Sequence, residues 1–303
     1  MFSSVALRQL KKSPISILKQ TKNFASTMEG FETLSVTVPK PFVYQVELNR
    51  PKRLNTMNRA MWFEIGKCFD NLATRDDCRS IVLTGSGKLF SAGIDLQDMI
   101  ELGGQLAEQE DIARKCKILE QMIKNYQDYI SALERCPKPV IAAVHNACIG
   151  GAVDLIVAAD IRMCSSDAWF QVKEAEIGMA ADVGTLQRLP RVIGNQSLVN
   201  ELCLTSRKME PIEAKDCGLV SKVFDTRDSL VAGALELAEQ IASKSPVAVQ
   251  LTKRTLVHAR NNNTQDGLDF IRYWNMTMLQ SEDFINAAMA QATKSPPPTF
   301  AKL

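Results

Sequence analysis

Histidine is scarce in this chain: among 303 residues there are 2, His145 and His258. That leaves little material for a His-based metal site or for a Ser-His-Asp or Cys-His nucleophilic arrangement. The 8 cysteines lie scattered, with no C-x-x-C pair. Such spacing argues against a zinc site or a disulfide framework and reads as reduced, mostly buried thiols. Long apolar runs are missing too. None approaches the roughly 20 residues of a membrane-spanning helix, so no stable membrane insertion is expected. Nor is charge of one sign in excess, because 36 Lys and Arg stand against 34 Asp and Glu, a net charge of +2. Without a basic field nothing points to a nucleic-acid partner. Acid and base chemistry in this chain falls to carboxylates.

The ends have a composition of their own. Residues 1–32 carry Arg8, Lys11, Lys12, Lys19 and Lys22, several serines and no acid before Glu29. This is the composition of a mitochondrial targeting leader. Ala301-Lys302-Leu303 resembles the Ser-Lys-Leu peroxisomal signal, with Ala in place of Ser. The two ends imply the mitochondrial matrix, the peroxisome, or both. Between them the length suffices for a large core. Residues 33–245 are expected to form it, 246–293 a C-terminal helical region and 294–303 a tail containing Pro296-Pro297-Pro298.

Element signals predict an α/β fold. Phe42 to Leu48 reads as a strand, Arg59 to Ala73 as a helix capped by Asn58, and Ser80 to Thr84 as a second strand. Glu101 to Glu134 is expected to form one or two amphipathic helices. Cys136-Pro137-Lys138-Pro139 ends them and leads into a strand over Val140 to Val144. Further on, Ile193 to Thr205, Pro211 to Cys217, Ser229 to Ser243, Pro246 to Arg260, Thr264 to Gln280 and Glu282 to Thr293 read as helices. A strand is expected over Leu219 to Phe224. Gly85-Ser86-Gly87-Lys88 is no phosphate loop: Val82 and Leu89 occupy positions where the Walker pattern needs Gly and Ser or Thr.

One stretch, His145 to Thr185, combines glycines with isolated acids. Gly150 and Gly151 follow the Val140 to Val144 strand, and Asp154, Glu174 and Asp182 are set among Ala, Val, Gly and Ile. A carboxylate in apolar surroundings is disfavoured in its charged form, so its pKa rises toward values useful at neutral pH. Upstream, Ser91-Ala92-Gly93-Ile94-Asp95-Leu96 offers small residues before a helix start. Its backbone can approach a ligand closely, and N–H groups at a helix N-terminus attract developing negative charge.

Together FSAGIDL (90–96) and ACIGGAVDL (147–155) resemble the paired loops of the enoyl-CoA hydratase/isomerase, or crotonase, family. The resemblance runs over nearly the whole chain after the leader. It implies a spiral of ββα turns with C-terminal helices that assemble trimers and, by pairing, a homo-hexamer. It also implies an acyl-CoA thioester substrate, with coenzyme A as part of the substrate, no separate cofactor and no metal. The family positions that hold the thioester oxygen through backbone N–H groups match Ile94 and Gly151. Each such donor contributes about 2.7–4 kcal/mol to transition-state stabilisation. Ala92, Gly93, Asp95, Leu96 and Gln97 flank the first donor and are expected beside the substrate. Lys52 and Arg53, in a loop similar to the family's early coenzyme A loop, are candidate phosphate contacts, with a solvated turn as the alternative.

Within the family the acids decide the reaction. A hydratase carries Glu at the positions of Asp154 and Glu174. Here Asp154, Glu174 and the additional Asp182 resemble the branch that converts 3,5-dienoyl-CoA to 2,4-dienoyl-CoA. That resemblance implies Asp182 as base at C2, Glu174 as acid at C6, and Asp154 as a third acid tuning the proton inventory. Hydration of 2-enoyl-CoA, a Δ3,Δ2 shift, and non-catalytic acyl-CoA or RNA binding stay open at this point.

Overall fold

A computed structural model describes residues 30–303. Most of the leader expected over 1–32 lies outside the described residues. The chain has already joined the fold at Glu32, where the Glu32 and Thr33 N–H groups donate to the Glu64 carboxylate at 2.7 and 2.8 Å.

Strands β1 (Leu34–Lys40) and β2 (Val43–Leu48) pair antiparallel through a turn at Pro41-Phe42. Helix α1 (Arg59–Ala73) follows, N-capped by Asn58 as its sequence predicts, and β3 (Ser80–Gly85) returns parallel to β2. Next come α2 (Leu96–Ala107), α3 (Ile112–Arg135) and β4 (Val140–Val144), parallel to β3. After β4 come β5 (Ala147–Ile149), α4 (Gly151–Val157), β6 (Ile161–Ser165) and β7 (Trp169–Gln171). Helices α5 (Thr185–Ile193), α6 (Gln196–Thr205) and α7 (Pro211–Asp216) precede β8 (Lys222–Phe224) and α8 (Arg227–Ala242). The chain ends in α9 (Pro246–Ala259), α10 (Thr264–Met278) and α11 (Glu282–Ala292). The main sheet has the order β1-β2-β3-β4-β6-β8, and β5 and β7 form a small parallel sheet of their own.

Burial on both faces explains the unbroken apolar run of β4. Val140, Ala142 and Val144 enter the larger core, whereas Ile141 and Ala143 enter a second cluster under α8. On α8, Ala234, Ala238 and Ala242 are buried at spacings of one helical turn, small enough for the helix to lie close on the sheet. Ser80 Oγ then donates to the Ala238 carbonyl at 2.8 Å.

Several boundaries differ from the sequence reading. The strands β1, β5, β6 and β7 were not anticipated. Three residues each in β5 and β7 are too few for a periodic signal, and they exist because their partners supply the other half of the ladder. The helix expected over Ile193 to Thr205 is α6 and begins three residues later, at Gln196 after the Asn195 cap, because Ile193 closes α5 and Gly194, with φ of 69°, breaks the chain between them. The strand expected from Leu219 is confined to Lys222–Phe224. Helices α10 and α11 bury no residue, although Trp274, Phe284, Ile285 and Met289 lie on them.

Candidate active site

Two glycine loops meet at the ends of β3 and β4. Backbone hydrogen bonds stitch them together: Ser91 N–H donates to Ala147 O at 3.1 Å and Ile149 N–H to Ser91 O at 3.2 Å. Gly93 has φ of +86°, and a Cβ there would stand 2.6 Å from the Ile149 carbonyl oxygen, so the loops touch backbone to backbone. A third strand of chain presses from the other side, with Met57 N–H donating to Gly93 O at 2.7 Å and Asp95 N–H to Met57 O at 3.1 Å. Gly150 adopts φ 54° and ψ −125°, which turns the chain into α4. Among the described residues, neither the Ile94 N–H nor the Gly151 N–H donates to another backbone acceptor. Both are free for a ligand oxygen.

A cavity of about 670 Å³ opens over these loops. Its wall contains every residue the sequence singled out in the first loop, Ala92, Gly93, Ile94, Asp95, Leu96 and Gln97, together with Gly151 of the second. Lys52 and Arg53 also face it, joined by Lys173. Arg53 lies 3.6 Å from the Asp95 carboxylate. Trp62, Met99, Ile100, Met122, Ile123 and Tyr126 supply the apolar wall. This mixture of cations and a greasy slot suits a ligand with an anionic part and a hydrocarbon part.

The three acids separate into two kinds. Glu174 and Asp182 line the cavity, while Asp154 is fully buried and absent from its wall. Glu174 opens a 3₁₀ turn over Glu174–Ile177, and its Oε1 would lie 3.3 Å from a Cβ on Gly150, hard against the second loop. Burial, together with the neighbouring Asp154 and Asp182 charges, pushes its carboxyl up to about 7. Asp182 precedes α5, and burial also raises its carboxyl above the ordinary range. Asp154 is pushed up to about 6, mainly by burial and against the lowering effect of its bonds to Thr185. Its Oδ1 accepts the Thr185 N–H at 2.5 Å, so it ties α4 to the start of α5, three residues after Asp182.

Some supporting residues gave no sequence signal. Trp62 and Tyr126 stack with ring centroids 4.6 Å apart, and Met57 and Trp62 pack on Gly151 so closely that a Cβ there would meet them at 2.7 and 2.9 Å. Asn55, at φ of 50°, donates from Nδ2 to Ser86 O at 2.8 Å and Leu89 O at 3.0 Å, latching the Lys52-Arg53 loop to the turn before Ser91. Asp95 caps α2 and accepts from Arg50 Nη1 at 2.9 Å and Thr56 Oγ1 at 3.1 Å, which pulls its carboxyl below the ordinary range against the effect of burial. The Lys52-Arg53 loop and an Asp at a helix start were visible. That they meet was not.

Residues 40–298 match the enoyl-CoA hydratase/isomerase family model, and the chain belongs to that family. A crystal structure of enoyl-CoA hydratase from Bacillus anthracis superposes with a TM-score of 0.79 at 28% identity, covering 88% of this chain and 98% of the other. Several curated relatives share one activity name. The Rattus norvegicus protein named Delta(3,5)-Delta(2,4)-dienoyl-CoA isomerase, mitochondrial, is 48% identical over 305 aligned positions, which span 100% of this chain and 93% of the relative. The Homo sapiens protein of that name is 51% identical, covering 86% of this chain and 79% of the relative. An Arabidopsis thaliana relative carrying the same activity name, and described as peroxisomal, is 43% identical over 91% of this chain and 100% of its own length.

Proposed function

We propose that the protein converts 3,5-dienoyl-CoA to 2,4-dienoyl-CoA, acting in the mitochondrion, the peroxisome or both, as its relatives' names indicate. The observation that carries the mechanism is that two carboxylates, Glu174 and Asp182, line one cavity with two unoccupied oxyanion donors. Moving both double bonds removes a proton from C2 and adds one at C6. These carbons lie at opposite ends of the conjugated system, so two separately placed carboxyl groups serve it better than one. Asp182 takes the C2 proton as its C–H bond breaks. The electron pair enters the conjugated system and places negative charge on the thioester oxygen, where the Ile94 and Gly151 N–H groups hold it. Glu174, kept protonated near neutral pH by its burial and its acidic neighbours, delivers a proton to C6. Coenzyme A arrives as part of the substrate, its phosphates facing Lys52, Arg53 and Lys173, and no separate cofactor enters the scheme.

Turnover tests the reading. Purified protein given a 3,5-dienoyl-CoA is expected to produce the ultraviolet absorbance of a conjugated 2,4-dienoyl thioester, faster than it hydrates a 2-enoyl-CoA. Rapid hydration with no dienoyl turnover overturns it.

Asp154 acts at one remove, as a positioning residue and a source of charge. Asp154→Asn keeps an acceptor for the Thr185 N–H but removes the negative charge that raises Glu174. Glu174 then loses its proton at lower pH, so the alkaline limb of the kcat profile is expected to move toward acid. A profile superimposable on wild type would refute this role. Stability responds with the opposite benefit. The folded-state carboxyl, raised to about 6, binds protons that the unfolded chain has released, so stability falls as pH rises from the unfolded value through the folded one. At pH 8 the Asn variant should melt higher than wild type, by about 2–4 °C for each kcal/mol gained.

The exposed apolar residues of α10 and α11 support self-association, and a trimer paired into a hexamer is the assembly proposed. Light scattering on an eluting size-exclusion peak is expected to return a multiple of three chains. A monomeric mass excludes it.

A further inference from the structure

Asp182 belongs to two cavities. Besides the one over the glycine loops, it forms part of the wall of a second, of about 370 Å³. Asp182 and Val183 are the residues the two walls share, and of the pair Asp182 carries the titratable side chain. The second cavity is polar. Gln127, Ser131 and Glu134 line it from one face of α3, spaced as successive turns of a helix. Gln127 Nε2 donates to the Asp182 carbonyl at 2.7 Å, and Arg188 of α5 donates to Ser131 Oγ at 2.9 Å and to Glu134 Oε2 at 3.0 Å. Gln187, Arg191 and Asn261 complete the wall and are exposed, so it opens to solvent. Its volume accommodates several waters at about 30 Å³ each, among groups able to bond them.

Turnover creates a need for such a space. Each forward reaction leaves Asp182 holding the proton from C2 and Glu174 lacking the one given to C6, and the starting protonation must be restored. An acyl-CoA in the main cavity covers Asp182 from that side. We propose that the second cavity is the proton path of Asp182: the hydrogen taken from C2 passes from its carboxyl to solvent there while the thioester remains bound, and when the dienolate is re-protonated at C2 a solvent proton enters by the same route. The inference rests on Asp182 being the C2 base. Heterolysis leaves the electron pair in the dienolate; to complete a forward turnover Asp182 gives its proton up to solvent and Glu174 takes one from solvent, so the proton count balances and no oxidant or further reactant is involved.

Glu174→Gln isolates the step, because a dienolate that cannot be protonated at C6 takes its proton back at C2. In D₂O, the 3,5-dienoyl-CoA recovered from this variant is expected to carry deuterium at C2, above an enzyme-free control. Adding Gln187→Trp closes the mouth of the second cavity at an exposed helical position whose side chain makes no hydrogen bond among the described residues. It should slow that exchange several-fold with thioester affinity unchanged, whereas Gln187→Ser, which leaves the mouth open, should not. No C2 deuterium with Glu174→Gln, or an equal rate with Gln187→Trp, overturns the path. Undiminished exchange in Glu174→Gln/Asp182→Asn would instead reject Asp182 as the base, which separates the two failures.

Discussion

Asp182→Asn is expected to lower kcat for 3,5-dienoyl-CoA by about 10²–10⁴-fold, the range over which a positioned general base contributes. An amide has no proton affinity to accept the C2 hydrogen at neutral pH, yet it has nearly the size and shape of the acid. The oxyanion donors, the apolar wall and the cations of the cavity all stay in place, so KM should change little. Stability should hold or rise, since burial raises the Asp182 carboxyl above its ordinary range and the folded state thus disfavours its charge. The measurement is steady-state turnover followed by absorbance, alongside thermal melting. Retention of more than a tenth of wild-type kcat would transfer the C2 step to another group.

Gly93→Ala is the second large effect. At φ of +86° an L side chain is strained, by about 1–3 kcal/mol. The added Cβ would also meet the Ile149 carbonyl oxygen at 2.6 Å and its carbon at 3.3 Å. Those are backbone atoms of the second glycine loop and cannot rotate aside. Relief requires the loops to part, which moves the Ile94 and Gly151 N–H groups away from a common oxygen. Displacing one such donor costs about 10²–10³ in kcat. Gly103→Ala is the control: it lies inside α2, nothing stands within 4 Å of its added methyl, and Ala favours a helix over Gly by about 1 kcal/mol. That variant should be as active as wild type and no less stable. Equal activity in both variants would separate loop contact from oxyanion placement.

Much of the site was readable because its pieces are contiguous runs. FSAGIDL and ACIGGAVDL each hold their glycines, a donor and a helix start within one short segment, and the structure places both on one cavity. Asp154 and Asp182 were conspicuous because each sits among small apolar residues, whereas Glu174 lies between Lys173 and Ala175 with Glu176 beyond. The supporting contacts were hidden for a different reason. Gln127, Ser131 and Glu134 lie on an amphipathic helix whose polar residues look like any solvated face, and only the path of the 182–188 segment turns that face into a wall. Strand β7 was overlooked because it is specified by its parallel partner β5 more than by its own residues.

The amino-acid sequence by itself determined that histidine is scarce and carboxylates are the acid and base groups at hand, that two glycine loops are present, and that the chain alternates strands and helices. These follow from composition and local conformational preference. Tertiary structure decided that Glu174 and Asp182 share a cavity while Asp154 lies behind it, and that the Ile94 and Gly151 N–H groups stay free. The physical reason is that burial, and the acceptor available to a backbone N–H, depend on which distant segment lies alongside. Here that is set by the ladder between Ser91 and Ala147–Ile149 and by the bond between Thr185 and Asp154.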